Sequence, residues 1–156
     1  MPTFGTVQGR LIQSPPGELQ WFPGEKWPQE FLLAESIGID FIELLVERET
    51  NDDNPIWTSE GREKIRKIAK SSTRRLYSTC TDYIINHGVL GPEEELVREH
   101  MLKFLDATSK LDCKVAVLPF LESSNLTSEN MMNYVPLIEE YSYFAGERNI
   151  SILLET

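Results

Sequence analysis

The sequence predicts an α/β protein whose parallel strands build part of a (β/α) barrel. Three observations lead there. Strand-like and helix-like segments alternate along the chain, which implies parallel strands with right-handed crossovers. The connections that follow strands are long and polar, whereas those that follow helices are short. The last six residues, Ser151-Ile152-Leu153-Leu154-Glu155-Thr156, read as a central strand buried on both faces and ending on a carboxylate. Barrels of this kind carry their catalytic groups at the C-terminal ends of strands.

Each element has a local reason. Phe4 to Leu11 mixes apolar residues with β-formers and reads as the first strand. A loop rich in Pro and Gly follows, through Ser14-Pro15-Pro16-Gly17 and Phe22-Pro23-Gly24. Pro28 suits the start of a helix that carries Phe31, Ala34 and Ile37 on one side, and Gly38 suits its end. Asp40 to Glu47 is the second strand. After a polar loop to Trp57, Thr58 or Ser59 caps a helix with Ile65, Ile68 and Ala69 inward. Leu76 to Cys80 is the third strand. Pro92 and three acids, Glu93 to Glu95, open the next helix, since negative charge in a first turn complements the helix dipole. Its stripe is Val97, Met101, Phe104, Thr108 and Leu111. Lys114 to Leu118 is the fourth strand, stopped by Pro119. The last helix begins near Thr127, turns Met131, Val135, Ile138 and Ala145 inward, and exits near Asn149.

The composition narrows the function. The chain has 156 residues and reads as a single domain, 1–156, left incomplete at its C-terminal side. A net charge of -10 repels phosphate backbones and anionic membrane surfaces, so the reading is no nucleic acid and no membrane. The apolar runs fall far short of the ~20 residues that span a bilayer. Met1-Pro2-Thr3-Phe4-Gly5 has none of the features of a secretory signal. Cys80 and Cys113 lack metal-binding spacing and read as buried free thiols, so the expected location is cytoplasmic.

An open, doubly wound sheet of five strands also fits the alternation. Such a sheet carries a Gly-rich phosphate turn after its first strand, and Gly5 and Gly9 do not form one. The loop lengths favour a parallel barrel of the TIM type, here present only as strands one to five. A complete barrel has eight strands and about 250 residues.

Six stretches stand in order along the chain: QGRL (Gln8 to Leu11), LQWFPGEKWPQEFLLAESIGIDFIEL (Leu19 to Leu44), NPIWTSEGREKI (Asn54 to Ile65), STCTDYI (Ser78 to Ile84), VAVLPFLE (Val115 to Glu122) and ISILLET (Ile150 to Thr156). Through them the chain resembles the xylose-isomerase-like TIM barrels, the sugar phosphate isomerase/epimerase family. Each stretch is short, and the specificity lies in their order. The resemblance implies an isomerase or epimerase of a ketose or ketose phosphate that works through an enediolate. It also implies a divalent metal (Mn, Mg, Co or Zn), with Glu155 as a ligand and a catalytic base. The family's other ligands lie on strands six to eight.

Other residues of interest gather at strand ends. Glu43 sits in an apolar strand and needs a partner or a polar cavity; in the family this position often lines the sugar site. Glu47 lies further out and reads as solvated. Gln8 and Arg10 end the first strand as candidate substrate contacts, and Arg10 either meets a sugar oxygen or phosphate or pairs with Glu43. Asp82, His87 and Glu122 follow the third and fourth strands as candidate substrate contacts, while His100, mid-helix, reads as structural. Trp21, Phe22, Trp27 and Trp57 read as loop packing.

Competing classes are an inosose-dehydratase-like enzyme, an endonuclease-like metalloenzyme and a non-catalytic barrel portion. The endonuclease reading is opposed by two histidines and the acidic charge. Five strands do not close a barrel, and open apolar edges make a homo-oligomer expected.

Overall fold

The computed structural model describes residues 3–18 and 21–156. Met1, Pro2, and Leu19 and Gln20, which open the second resembling stretch, lie outside the described residues. Five strands, β1 (Gly5–Val7), β2 (Phe41–Val46), β3 (Ser78–Thr81), β4 (Val115–Pro119) and β5 (Ser151–Glu155), form one sheet. Every neighbouring pair is parallel, and the spatial order β1-β2-β3-β4-β5 follows the chain. This order decides the architecture. A doubly wound sheet reverses direction once and so receives helices on both faces. A sheet that never reverses, with crossovers of one hand, receives all its helices on one face. That is five strands' worth of a TIM-type barrel wall.

The helices are α1 (Trp27–Ile37), α2 (Ser59–Ser71), α3 (Tyr83–Asn86), α4 (Glu94–Lys110) and α5 (Met131–Gly146). Gly38 ends α1 in the left-handed conformation, φ 77°, and the Thr58 hydroxyl caps α2 by accepting from the Gly61 amide at 3.0 Å. The predicted stripe of α4 is buried from Val97 to Leu111. The helix-facing core takes Ile42, Leu44 and Val46 from β2, Ala116 and Leu118 from β4, and Phe31, Ile65 and Phe104 from the helices. Thr79 and Thr81 point the same way. Their hydroxyls lie 2.7 Å from Thr108 Oγ1 and 3.3 Å from His100 Nε2 on α4.

Three expectations need correction. The terminal strand is not a central one buried on both faces. β5 is the edge of the sheet, with Leu153 53% and Leu154 42% exposed, because no strand pairs with its outer side. α5 is rotated from the predicted phase. Tyr134, Leu137, Tyr141 and Ala145 face inward, whereas Met131 is exposed. Two tyrosine rings outcompete the smaller aliphatic side chains for the buried stripe. Finally, Ile37 is exposed at the end of α1. The short helix α3 was not foreseen, and it places His87 directly after its last turn.

Candidate active site at the strand ends

Residues that alternate with the core positions turn to the face away from the helices, the lumen side of a barrel wall. One row across it reads Leu45, Cys80, Val117, Leu153. The row toward the N-terminal side holds Glu43 and Ser78; the row toward the C-terminal side holds Asp82 and Glu155. Three carboxylates therefore share this face: Asp82, directly after β3, and Glu155 of β5 stand at the end where such barrels do chemistry, and Glu43 of β2 lies two rows below them.

Two hollows open there. One, of about 490 Å³, is lined by Val7, Arg10, Glu43, Val117, Leu153 and Glu155 among others. The other, of about 530 Å³, lies under the loop after β1 and is lined by Trp21, Phe22, Leu45, Glu47, Arg48 and Asp82 among others.

The buried acids sense one another. Burial is the largest influence on Glu43 and raises its pKa; the neighbouring Ser78 hydroxyl opposes this and the charge of Glu155 adds to it. Ser78 is buried, and its Oγ lacks a hydrogen-bond partner of good geometry. Asp82 is 2% exposed. Burial pushes its pKa up to about 6, against the attraction of Arg48 and with added repulsion from Glu155 and Glu43. The Cys80 thiol, held protonated chiefly by burial, lies 3.7 Å from Asp82 Oδ1.

Arg10 lines the same hollow as Glu43 and Glu155, yet no ion pair within 4.0 Å joins it to either among the described residues. A feature that sequence reasoning missed holds its loop. Glu30, wholly buried on α1, accepts from the amides of Gly9 and Leu11 at 2.8 and 3.2 Å through one oxygen. Its other oxygen has no partner, and burial raises its pKa. Trp21 Nε1 donates to the Gly9 carbonyl at 3.0 Å. Gly9 sits at φ 88°, and a Cβ there would lie 2.2 Å from the Trp21 carbonyl oxygen, so the turn requires glycine. Gln8 is buried, with its side-chain oxygen accepting from the Leu45 amide at 3.1 Å, and this stitches β1 to β2.

The remaining candidates build the rim. Glu122, at φ 46°, accepts from both terminal nitrogens of Arg48 at 2.9 and 3.0 Å. Arg48 also donates to Asn86 Oδ1 at 3.1 Å, so the loops after β2, β3 and β4 are tied together. Glu47 is not simply solvated: it is half-buried and accepts from the side-chain amides of Asn51 and Asn54. Trp21 and Phe22 wall the second hollow as well as packing the loop. His87 lines neither hollow. Its ring lies 3.1 Å from both Glu49 Oε2 and Glu93 Oε2 and stacks on Tyr83 at 4.2 Å. The other face of Tyr83 carries His100 at 3.8 Å, whose pKa burial lowers to about 4. His100 is therefore neutral and structural.

The His87 clasp has a testable pH signature. Burial, the largest single influence, lowers its pKa, but the two carboxylates together outweigh it and raise the group above 6.5. A folded-state pKa above the unfolded one means stability fully present below the unfolded value and lost as pH rises through the folded one. The stability difference between the wild type and His87→Ala is therefore expected to shrink between pH 6 and 8. Both acids are exposed, so the pair contributes at most about 1 kcal/mol. Urea melts across that range check it; a difference that grows with pH contradicts the clasp.

The described residues contain no group of three or more His, Cys, Asp or Glu side chains placed to hold a metal ion. Glu155 offers one carboxylate donor, so this half of the wall does not by itself make the expected metal centre.

No model of a protein family matches the sequence, and no curated protein does. Solved structures do. A xylose isomerase domain protein from Planctomyces limnophilus superposes with a TM-score of 0.66 at 11% identity, over 98% of this chain and 53% of that one. A xylose isomerase-like TIM barrel protein from Mycobacterium smegmatis, solved with magnesium, gives 0.64 at 14%, over 98% and 54%. The apo 3-keto-D-glucoside 4-epimerase of E. coli gives 0.57 at 14%, over 97% and 55%. At these identities the likeness shows the fold. The chain spans about half the length of the solved structures it matches.

Proposed function

We propose that this chain, which has the fold of half a xylose-isomerase-like TIM barrel, supplies part of an active site that isomerises or epimerises a ketose or ketose phosphate through an enediolate. One observation carries the reading: on the lumen face of a singly wound sheet, Glu43 and Glu155 line one hollow with Arg10, and Asp82 stands level with Glu155 at the C-terminal side. Proton removal next to a carbonyl needs a carboxylate that reaches the substrate from a fixed wall. Glu155, exposed at the end of β5, is the base. Glu43, Asp82 and Arg10 hold hydroxyl and carbonyl oxygens, Gln8 fixes the wall between β1 and β2, and Glu122 holds the rim through Arg48.

The family likeness adds a divalent metal, which when bound stabilises negative charge on sugar oxygens. Glu155 is the one ligand proposed from this chain, and the described residues do not complete the set. The acidic mouth supports a small-molecule ligand rather than a nucleic acid. Among the described residues no helix is long and apolar enough to cross a membrane. The two buried free thiols support a reducing, cytoplasmic setting.

The test follows solvent deuterium entering the carbon next to the carbonyl of a ketose, by mass spectrometry, with Mn²⁺ or Mg²⁺ added. The 156-residue chain on its own is expected to show no exchange and to self-associate. β1 and β5 leave unpaired edges, and Phe4, Leu153 and Leu154 are exposed beside them. Turnover by the chain alone contradicts the first expectation, and a monomer by light scattering contradicts the second.

A further inference from the structure

We infer that the mouth formed by this chain selects a neutral polyhydroxy ligand, a free ketose, and discriminates against its phosphate ester. The inference rests on the ketose reading above and narrows it.

The charges of the two hollows carry the argument. In the first, Arg10 faces Glu43 and Glu155. In the second, Arg48 faces Glu47, Glu49 and Asp82. Arg48 is already engaged, because Glu122 takes both of its terminal nitrogens and Asn86 a further bond. Neither lining contains a lysine. A phosphate dianion brought here meets several carboxylates and one uncommitted guanidinium, and like charges held together cost affinity.

The backbone at the loop after β1 and at the starts of α2 and α4 gives little counterweight. Phosphate sites in α/β folds use helix N-termini or turns with free amides. At α2 the Gly61 amide is taken by Thr58. At the start of α4 stand Glu93, Glu94 and Glu95, whose charges repel an anion. The loop after β1 has its Gly9 and Leu11 amides turned to Glu30, so they too are spent.

The same groups suit hydroxyls. Carboxylates accept from a sugar hydroxyl, Arg10 donates to one, and a hydroxyl does both. Trp21 and Phe22 give the second hollow an apolar wall for the C–H face of a sugar ring.

The experiment titrates the isotope-labelled 156-residue chain with D-ribulose, D-fructose and the terminal phosphate ester of each, and follows the Trp21 indole and the Leu45 and Asp82 amides by NMR. The free ketose is expected to bind at least about tenfold more tightly than its ester at low salt. The gap is expected to narrow at high salt and in Glu155→Gln, which removes one repelling charge without touching the core. An ester that binds as tightly as the free sugar, or more tightly, overturns this inference and leaves the ketose reading standing. If neither form moves these resonances, both readings fall.

Discussion

Replacing Glu155 with glutamine is expected to slow proton exchange at the substrate carbon by at least about a hundredfold in a closed barrel that carries this chain. The substitution keeps the size and the backbone of β5, whose pairing to β4 runs from Ser151 to Glu155. It removes the negative charge, and with it the capacity to take up a proton and most of the capacity to hold a metal. Glu155 is exposed and forms no ion pair among the described residues, and its backbone carbonyl, which accepts from the Phe120 amide at 2.8 Å, is unchanged. Stability is therefore expected to stay within about 0.5 kcal/mol of wild type, as for other exposed positions. The informative comparison is the rate of deuterium entry against substrate affinity. A loss confined to the rate assigns Glu155 to the chemistry, while full retention of exchange removes it from the mechanism.

Much of this arrangement was legible in the sequence. Alternation, loop length and the missing Gly-rich turn after the first strand favoured a barrel wall over a doubly wound sheet. The stripe of α4 was legible because its residues recur at helical spacing with no competitor. α5 was not: Met131, Val135 and Ile138 compete with Tyr134 and Tyr141, and spacing does not rank ring size against hydropathy. The burial of β5 was misjudged, because an apolar run records what a strand is suited to touch, while its edge is unpaired as five strands that do not close require.

The site was legible in its strand-end acids and illegible in what holds them. Glu30 lies on the buried side of α1 between Trp27 and Ala34, and only the fold brings the amides of Gly9 and Leu11 to it. The bond from Arg48 to Glu122 spans 74 positions, and that of His87 to Glu49 spans 38. No local pattern encodes such pairs. The loop sequence Glu47-Arg48-Glu49 was a usable signal, since three charges directly after a buried strand must lie at the mouth.

Asp82→Asn is expected to stabilise the protein on the order of 3 kcal/mol at neutral pH and to leave stability unchanged near pH 3. The reason is the cost of burying a charge. In the unfolded chain Asp82 ionises near 3.8, whereas in the folded protein burial delays this to about 6. Between those values the native state binds more protons than the unfolded one, so stability falls as pH rises. Below the window both states are protonated and the residue carries no penalty. Above it the full penalty is present, and the gap between the two values converts to the stated figure. Asparagine does not titrate, keeps an oxygen toward the Cys80 thiol, and escapes the repulsion from Glu43 and Glu155. Chemical melts of both proteins from pH 3 to 8 read this directly. Parallel curves would mean that the carboxyl is solvated and not part of a desolvated mouth. A divergence that opens between pH 4 and 6, together with weaker ketose binding by the more stable variant, would mean that the wild-type protein retains a destabilising acid because the ligand needs it.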